Sequence, residues 1–286
     1  MLKSLLLWRI TKTAYLSALV MAFIVFAVQI FRLGFVLFGL PLESSIPFFV
    51  VWFVFYGFYF LPDGVLLATA TTAYDLKEKK LLHVLYSFQF SSGKVLQFFL
   101  IPVSILFILS SVFSYILVEE HVGFLTRGLL IQYKDRIFEN IPVKTFLDAG
   151  NLVVYVRDKE GNTLKDIFLK YKNIQVIAKR ARYEGSGRFV FEKGSLLTEE
   201  RGKYFLMKFD TYRLDTEEYL VAKISERVLK RDRILNAINT LSILPLALFA
   251  YFGSIKLCKS HTHLYVLITI GLVLHQIILF GFKVSL

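Results

Sequence analysis

Asn151-Leu152-Val153-Val154-Tyr155-Val156-Arg157-Asp158-Lys159-Glu160-Gly161-Asn162-Thr163-Leu164-Lys165-Asp166-Ile167-Phe168-Leu169 is the stretch that decides the fold of this chain. β-Branched and aromatic residues fill Asn151–Val156, turn-forming residues follow over Asp158–Asn162, and Thr163–Leu169 then alternates polar and apolar, with Leu164, Ile167 and Phe168 near the apolar face. That pattern predicts two strands around a turn. It continues through Ile174–Tyr183, a Gly185-Ser186-Gly187 turn, Arg188–Glu192, a break at Lys193-Gly194, and Lys203–Tyr212 with Phe205, Met207 and Phe209 at period two. Short strands at this spacing predict a sandwich or jellyroll.

These strands lie in a polar insertion, Glu119–Arg233, within a chain that is otherwise apolar. Of 286 residues 56% are hydrophobic, above the roughly 45–50% of soluble proteins, an excess that a water-exposed surface cannot absorb. Five charge-free stretches, Thr13–Phe31, Ser44–Pro62, Val95–Val118, Ile234–Ile255 and Leu264–Phe282, match the roughly 20 apolar residues needed to cross a bilayer. The first is too long for a cleaved signal peptide, and no small-residue cleavage site follows it. The chain thus divides into residues 1–118, with spans over 13–31, 44–72 and 95–118 and a cytoplasmic helix over 76–93. A β domain over 119–215 follows. Residues 216–286 then carry a juxtamembrane helix (Leu220, Ile224, Val228 and Leu229 at helical spacing) and spans over 234–255 and 264–283.

The net charge of +12 is explained by its placement. Lys3, Arg9 and Lys12 precede the first span, Lys77, Lys79, Lys80 and Lys94 lie between the second and third, and Lys256 and Lys259 between the last two. The loop after span one holds Glu43 and no base beyond Arg32 at its edge. Short basic loops stay on the cytoplasmic side, so the N-terminus is expected inside and the insertion outside, and nucleic acid is not an expected partner. The single cysteine, Cys258, excludes an intramolecular disulfide and a cysteine-built metal site.

Asp63 is the one acid embedded in a span. Intramembrane carboxylates are costly and mark functional sites such as proton relays, yet Pro62-Asp63-Gly64 reads equally as a kink with water access. His275 has no acidic partner near it in sequence and reads as packing or hydrogen bonding, while His261 and His263 lack further metal ligands. No phosphate-binding Gly-x-x-x-x-Gly-Lys-Ser/Thr loop occurs; Ser91-Ser92-Gly93-Lys94 lacks the first glycine. Arg32 and Lys283, at the outer ends of the first and last spans, are placed to snorkel or to pair with a lipid phosphate. Leu81, Leu82, Leu85 and Phe88 form an apolar stripe on the cytoplasmic helix, suited to a bilayer surface or to a groove on a soluble partner.

In order and topology the chain resembles the LptF/LptG lipopolysaccharide export permease family from Leu5 to about Gly253. The β domain carries a Gly161, Leu164, Asp166-Ile167-Phe168 run, then Ile177-Ala178 with Ala181, Phe191-Glu192-Lys193-Gly194, and Phe209 with Tyr212; Leu241–Ala247 in span four also matches. The resemblance implies a membrane α-helical bundle with an inserted periplasmic jellyroll-like domain in the bacterial inner membrane. It implies a non-catalytic subunit without cofactor, ATP being hydrolysed on a separate LptB-like cytoplasmic ATPase. A second such permease, periplasmic LptC/LptA-like jellyroll proteins and lipopolysaccharide would be its partners. Leu81, Leu82, Leu85, Phe88 and Phe90 would belong to the coupling helix that receives the ATPase, with Leu81 where Glu is common and Gln89 where Gly is common. The family has six spans where five are read here. A membrane-anchored β scaffold, or a mechanotransmitting ABC subunit that moves no lipid, are the alternative expectations; three spans before the insertion argue against the second.

Overall fold

The computed structural model describes residues 2–139, 141–148, 152–161, 163–184, 188–200, 203–215 and 226–285. The described elements are α1 (Leu2–Gly39), α2 (Leu42–Tyr59), α3 (Leu61–Glu78), α4 (Leu81–Ser87), α5 (Ser92–Ile116), α6 (Glu119–Glu139), strands β1 to β6, α7 (Glu226–Leu241), α8 (Ile243–Lys256) and α9 (His261–Ser285). They form two compact units, one of Met1–Phe35, Glu43–Leu125 and Ile224–Leu286, the other of Val36–Leu42 and Thr126–Lys223. Five helical stretches are long and apolar enough to cross a membrane: Ser4–Gly34, Leu42–Tyr59, Ser92–Ile116, Glu226–Lys256 and His261–Ser285.

In the helical unit α1 buries one stripe, Leu6, Ile10, Ala14, Ala18 and Ala22, at every fourth position. Small residues along such a stripe let helix backbones approach closely. They do so at Gly64 of α3, where an added Cβ would overlap the Ala14 carbonyl oxygen. Helix α3 is the centre of this unit, with 13 of its 18 residues buried. Pro62 lacks the N–H that would continue α2, so the second hydrophobic stretch breaks at Phe60 and α3 starts anew. At its other end Lys77 Nζ donates to the carbonyls of Ile255 and Cys258, each at 2.7 Å, and so closes the C-terminal end of α8. Arg9 of α1 pairs with Asp75.

The helix expected over 76–93 is interrupted. α3 ends at Glu78, Lys80 takes φ 56°, and the separate α4 covers only Leu81–Ser87 before Gln89 takes φ 62°. Both left-handed residues break the helical ladder, so no continuous amphipathic helix forms there. The reading of 119–215 as β throughout is corrected too: Glu119–Glu139 is helical. Its signals were Glu119 and Glu120 in the first turn and Arg136 in the last, which complement a helix dipole. Of the juxtamembrane helix, residues 216–225 lie outside the described residues, and α7 begins at Glu226.

The second unit holds one antiparallel sheet in the order β1-β2-β3-β4-β5-β6, a meander of consecutive neighbours. The strands are β1 (Phe146–Asp148), β2 (Leu152–Glu160), β3 (Thr163–Tyr171), β4 (Ile174–Tyr183), β5 (Arg188–Glu200) and β6 (Lys203–Asp215). Lys193-Gly194 does not end a strand; β5 runs through it to Glu200. Instead the four ladders from β2 to β6 are each interrupted once, and the interruptions align across the sheet at Arg157, Asp166, Lys179, Lys193 and Asp210. Buried positions shift phase there, from Leu164 to Ile167, Ala178 to Ala181 and Phe191 to Leu196, and Asp166 and Lys193 have φ of 47° and 52°. Bulge-like breaks bend a strand, and a row of them makes a crease. One side packs Val154, Val156, Ile167, Leu169, Phe189 and Phe191 into a core.

Candidate functional site

Within the helical unit, polar side chains from α3, α7 and α9 and from the α7–α8 junction converge around Asp63. The carboxyl stands in the first turn of α3, just after Pro62, where the N-terminal end of the helix favours negative charge. It is 2% exposed. His275 of α9 places Nδ1 2.6 Å from Asp63 Oδ1, and the neighbouring Gln276 donates to Oδ2 at 2.7 Å. The other imidazole nitrogen, Nε2, lies 2.8 Å from Ser242 Oγ. Ser242 occupies the junction between α7 and α8, and its hydroxyl lies 2.6 Å from the Asn239 carbonyl. Asn239 in turn donates to the Tyr59 carbonyl at the end of α2, at 2.8 Å.

A cavity with a partly polar lining adjoins this cluster in the same unit. A cavity of about 220 Å³ is lined by Tyr59, Glu119, Asp232, Asn236, Gln276 and Lys283 together with apolar neighbours. Lys283 pairs with Glu119 across it at 2.8 Å. Asn236 is held by the carbonyls of Ser114 and Leu117, and Ser114 Oγ lies 2.7 Å from Thr240 Oγ1. Asp232, Asn236, Asn239 and Thr240 thus form a buried polar face on α7. The cavity reaches the cluster through Gln276 and Tyr59, on the Asp63 side.

Of the residues singled out from sequence, Asp63 and His275 are brought together although 212 positions separate them. Pairing over that distance leaves no local trace in sequence, and Ser242 and Gln276 carry no signal of their own. The polar face of α7, Asp232, Asn236 and Asn239 at i, i+4 and i+7, was not read from the sequence, where only the apolar stripe of Leu220, Ile224, Val228 and Leu229 was singled out. Lys283 has its charge met by Glu119, while Arg32 is exposed on α1 with no carboxylate partner among the described residues. The expected stripe at α4 divides: Leu82 and Leu85 are buried in the helical core, whereas Leu81, Val84, Tyr86 and Phe88 are exposed. Phe90 packs edge-on against Phe98. His261 pairs with Glu78 at 3.0 Å, and among the described residues no three His, Cys, Asp or Glu side chains converge as metal ligands.

An uncharacterized protein of Aquifex aeolicus (strain VF5) is 35% identical to this chain over 287 residues, spanning the whole of both chains. The chain belongs to that protein's family. No family model matches it. Three further surface features stand out among the described residues. Between α5 and α7 an apolar groove of about 290 Å³ is lined by Phe107, Tyr115, Ala237 and Leu241, with the Arg233 guanidinium 5.5 Å from the centre of the Tyr115 ring. On the sheet, the crease opens a groove of about 790 Å³ flanked by Tyr155, Phe168, Ile177 and Phe209 and floored by Asp166, Lys179 and Lys193. Among the described residues the final strand β6 pairs only with β5, and it exposes Tyr204, Phe205, Leu206 and Met207 in succession.

Proposed function

We propose that this chain is a permease subunit of an ATP-driven exporter that lifts lipopolysaccharide from the bacterial inner membrane and hands it to a periplasmic β bridge. The observation that carries the reading is the creased six-stranded sheet inserted between membrane-long helices, with an apolar, one-sided edge at β6. An exposed edge strand is a template for strand addition, which is how jellyroll domains of LptC/LptA type would stack on it. The sheet would then be periplasmic, its crease the jellyroll groove that receives acyl chains, and the N-terminus cytoplasmic. The Arg233 groove and the exposed Arg32 supply what an anionic amphiphile needs, a guanidinium above apolar surface. The exposed side chains of α4 would face the cytoplasmic ATPase, and a second permease of the same kind would complete the membrane part.

The chain purified from its native envelope should bring down a nucleotide-binding subunit, and mass spectrometry of the complex should find bound lipopolysaccharide that leaves on ATP addition. Recovery of the chain with periplasmic β proteins but without ATPase or lipid would sink the exporter in favour of a scaffold.

A further inference from the structure

We propose that Asp63, His275 and Ser242 form a proton-binding site in the membrane part, filled from the cavity at the Glu119–Lys283 end. The hydrogen-bond pattern carries this. Asp63 accepts from the Gln276 amide at Oδ2 and has His275 Nδ1 2.6 Å from Oδ1, and an ionised carboxylate accepts on both oxygens. In that state Nδ1 of His275 holds a hydrogen, and Nε2 is the atom free to gain one.

Ser242 makes both states of Nε2 acceptable. With neutral His275 the hydroxyl donates to Nε2 at 2.8 Å; with imidazolium, Nε2–H donates to Oγ and the hydroxyl turns to the Asn239 carbonyl at 2.6 Å. One proton is added at Nε2, one hydroxyl hydrogen rotates, and no heavy atom has to move. The pair goes from a net charge of −1 to zero while staying hydrogen-bonded at every step. A group that can be neutralised in place avoids the cost of a lone buried charge, the usual reason that ionisable residues inside a membrane mark proton pathways.

The route is polar at one end. Tyr59 of α2, Glu119 at the start of α6, Asp232 of α7 and Lys283 of α9 line the cavity, and Gln276, which also lines it, touches Asp63 directly. Glu119 is ion-paired with Lys283, and Asp232 lies 3.4 Å from Arg231; within the cluster itself, Nε2 of His275 is the atom placed to take the proton. The same order of groups is that of a nucleophilic Ser–His–Asp triad. Here, however, the described cavity meets the cluster at its Asp63 side, through Gln276 and Tyr59, and not at Ser242. Protons, rather than an acyl substrate, fit that access.

The test uses the full chain in lipid nanodiscs with His83, His121, His261 and His263 each changed to Gln, which leaves His275 as the one histidine. Nitrogen-15 NMR of the labelled imidazole should show Nε2 passing from unprotonated to protonated as the pH is lowered. Ser242→Ala should keep the proton uptake and move its midpoint, and Glu119→Gln should slow uptake without abolishing it. An imidazole that stays in one form across the whole range overturns the proposal. So does covalent labelling of Ser242 by a fluorophosphonate, which would make the cluster a hydrolytic triad. The wild-type NMR titration of all five histidines, in which one resonance alone lacks solvent exchange, serves if the four-fold variant fails to fold.

Discussion

Lys77 links two effects that pull a labelling experiment in opposite directions. Its ammonium holds the Ile255 and Cys258 carbonyls, and Cys258 is 1% exposed beside it. Burial pushes the Cys258 thiol above its ordinary value, while the Lys77 charge draws it part of the way back. The thiol therefore stays protonated at neutral pH, and since the thiolate is the reactive form, maleimide should modify Cys258 slowly in the folded protein and fast after denaturation. Lys77→Met removes the opposing charge, so chemistry alone predicts still less thiolate and slower labelling. It also strands two carbonyls, at a cost of about 1–3 kcal/mol, which should loosen the turn after α8 and expose the sulfur. Faster labelling of the variant, read by mass shift, is the expected outcome and identifies opening of the turn. Slower labelling would assign Lys77 an electrostatic role only. At the same scale, Gly64→Val forces a branched side chain against the Ala14 backbone. Overpacking of this kind costs about 1–3 kcal/mol, and a lower melting temperature in detergent is the readout.

Among the elements, the crease is where local conformation and fold are most closely tied. Lys193 adopts φ 52°, a left-handed conformation that costs a non-glycine residue about 1–2 kcal/mol, so Lys193→Gly should stabilise the sheet by about 1 kcal/mol. Gly194 beside it has no room for a Cβ, which would overlap the Ile177 carbonyl oxygen and crowd the Phe209 ring. Gly194→Ala should therefore act in the opposite direction. Hydrogen exchange of β4 and β5 amides in the two variants measures both signs, and equal protection in both would remove the crease as the reason for the sequence. The crease was half-legible in the residues. Leu164 and Ile167 are three apart where a flat strand would place them two apart, and that irregularity is the phase shift itself. Lys193-Gly194 looked like the end of a strand because Gly usually breaks one. Pairing with β4 and β6 on both sides overrides that preference. α6 was missed for a different reason, because strand signals farther along coloured the reading of the whole insertion. The split of α4 depended on Lys80 and Gln89 accepting φ near 60°, which no residue type other than glycine announces.

Across the whole molecule, two exposed apolar surfaces belong to separate units, and a protein with one partner would need only one of them. Leu81, Val84, Tyr86 and Phe88 surround a short helix among Lys77, Lys79 and Lys80, whereas Tyr204–Met207 lie along a strand edge. Helical anchors recognise a groove and strand edges recognise another strand, so the chemistry of the two partners must differ. If the proposed partners are right, changing Val84 and Phe88 to Ser should reduce recovery of the proposed ATPase at least about tenfold, roughly 1.4 kcal/mol of binding, and leave capture of the proposed β partners unchanged. Tyr204→Lys with Leu206→Lys should do the reverse, because lysine on an edge strand opposes strand addition. The two losses are predicted to be independent, since the two surfaces belong to separate compact units. Quantitative pull-down of both classes of partner from each variant is decisive. If the α4 variant also lost the β proteins, assembly at one surface would depend on occupancy of the other, and the subunit would load its lipid bridge only when the ATPase is attached.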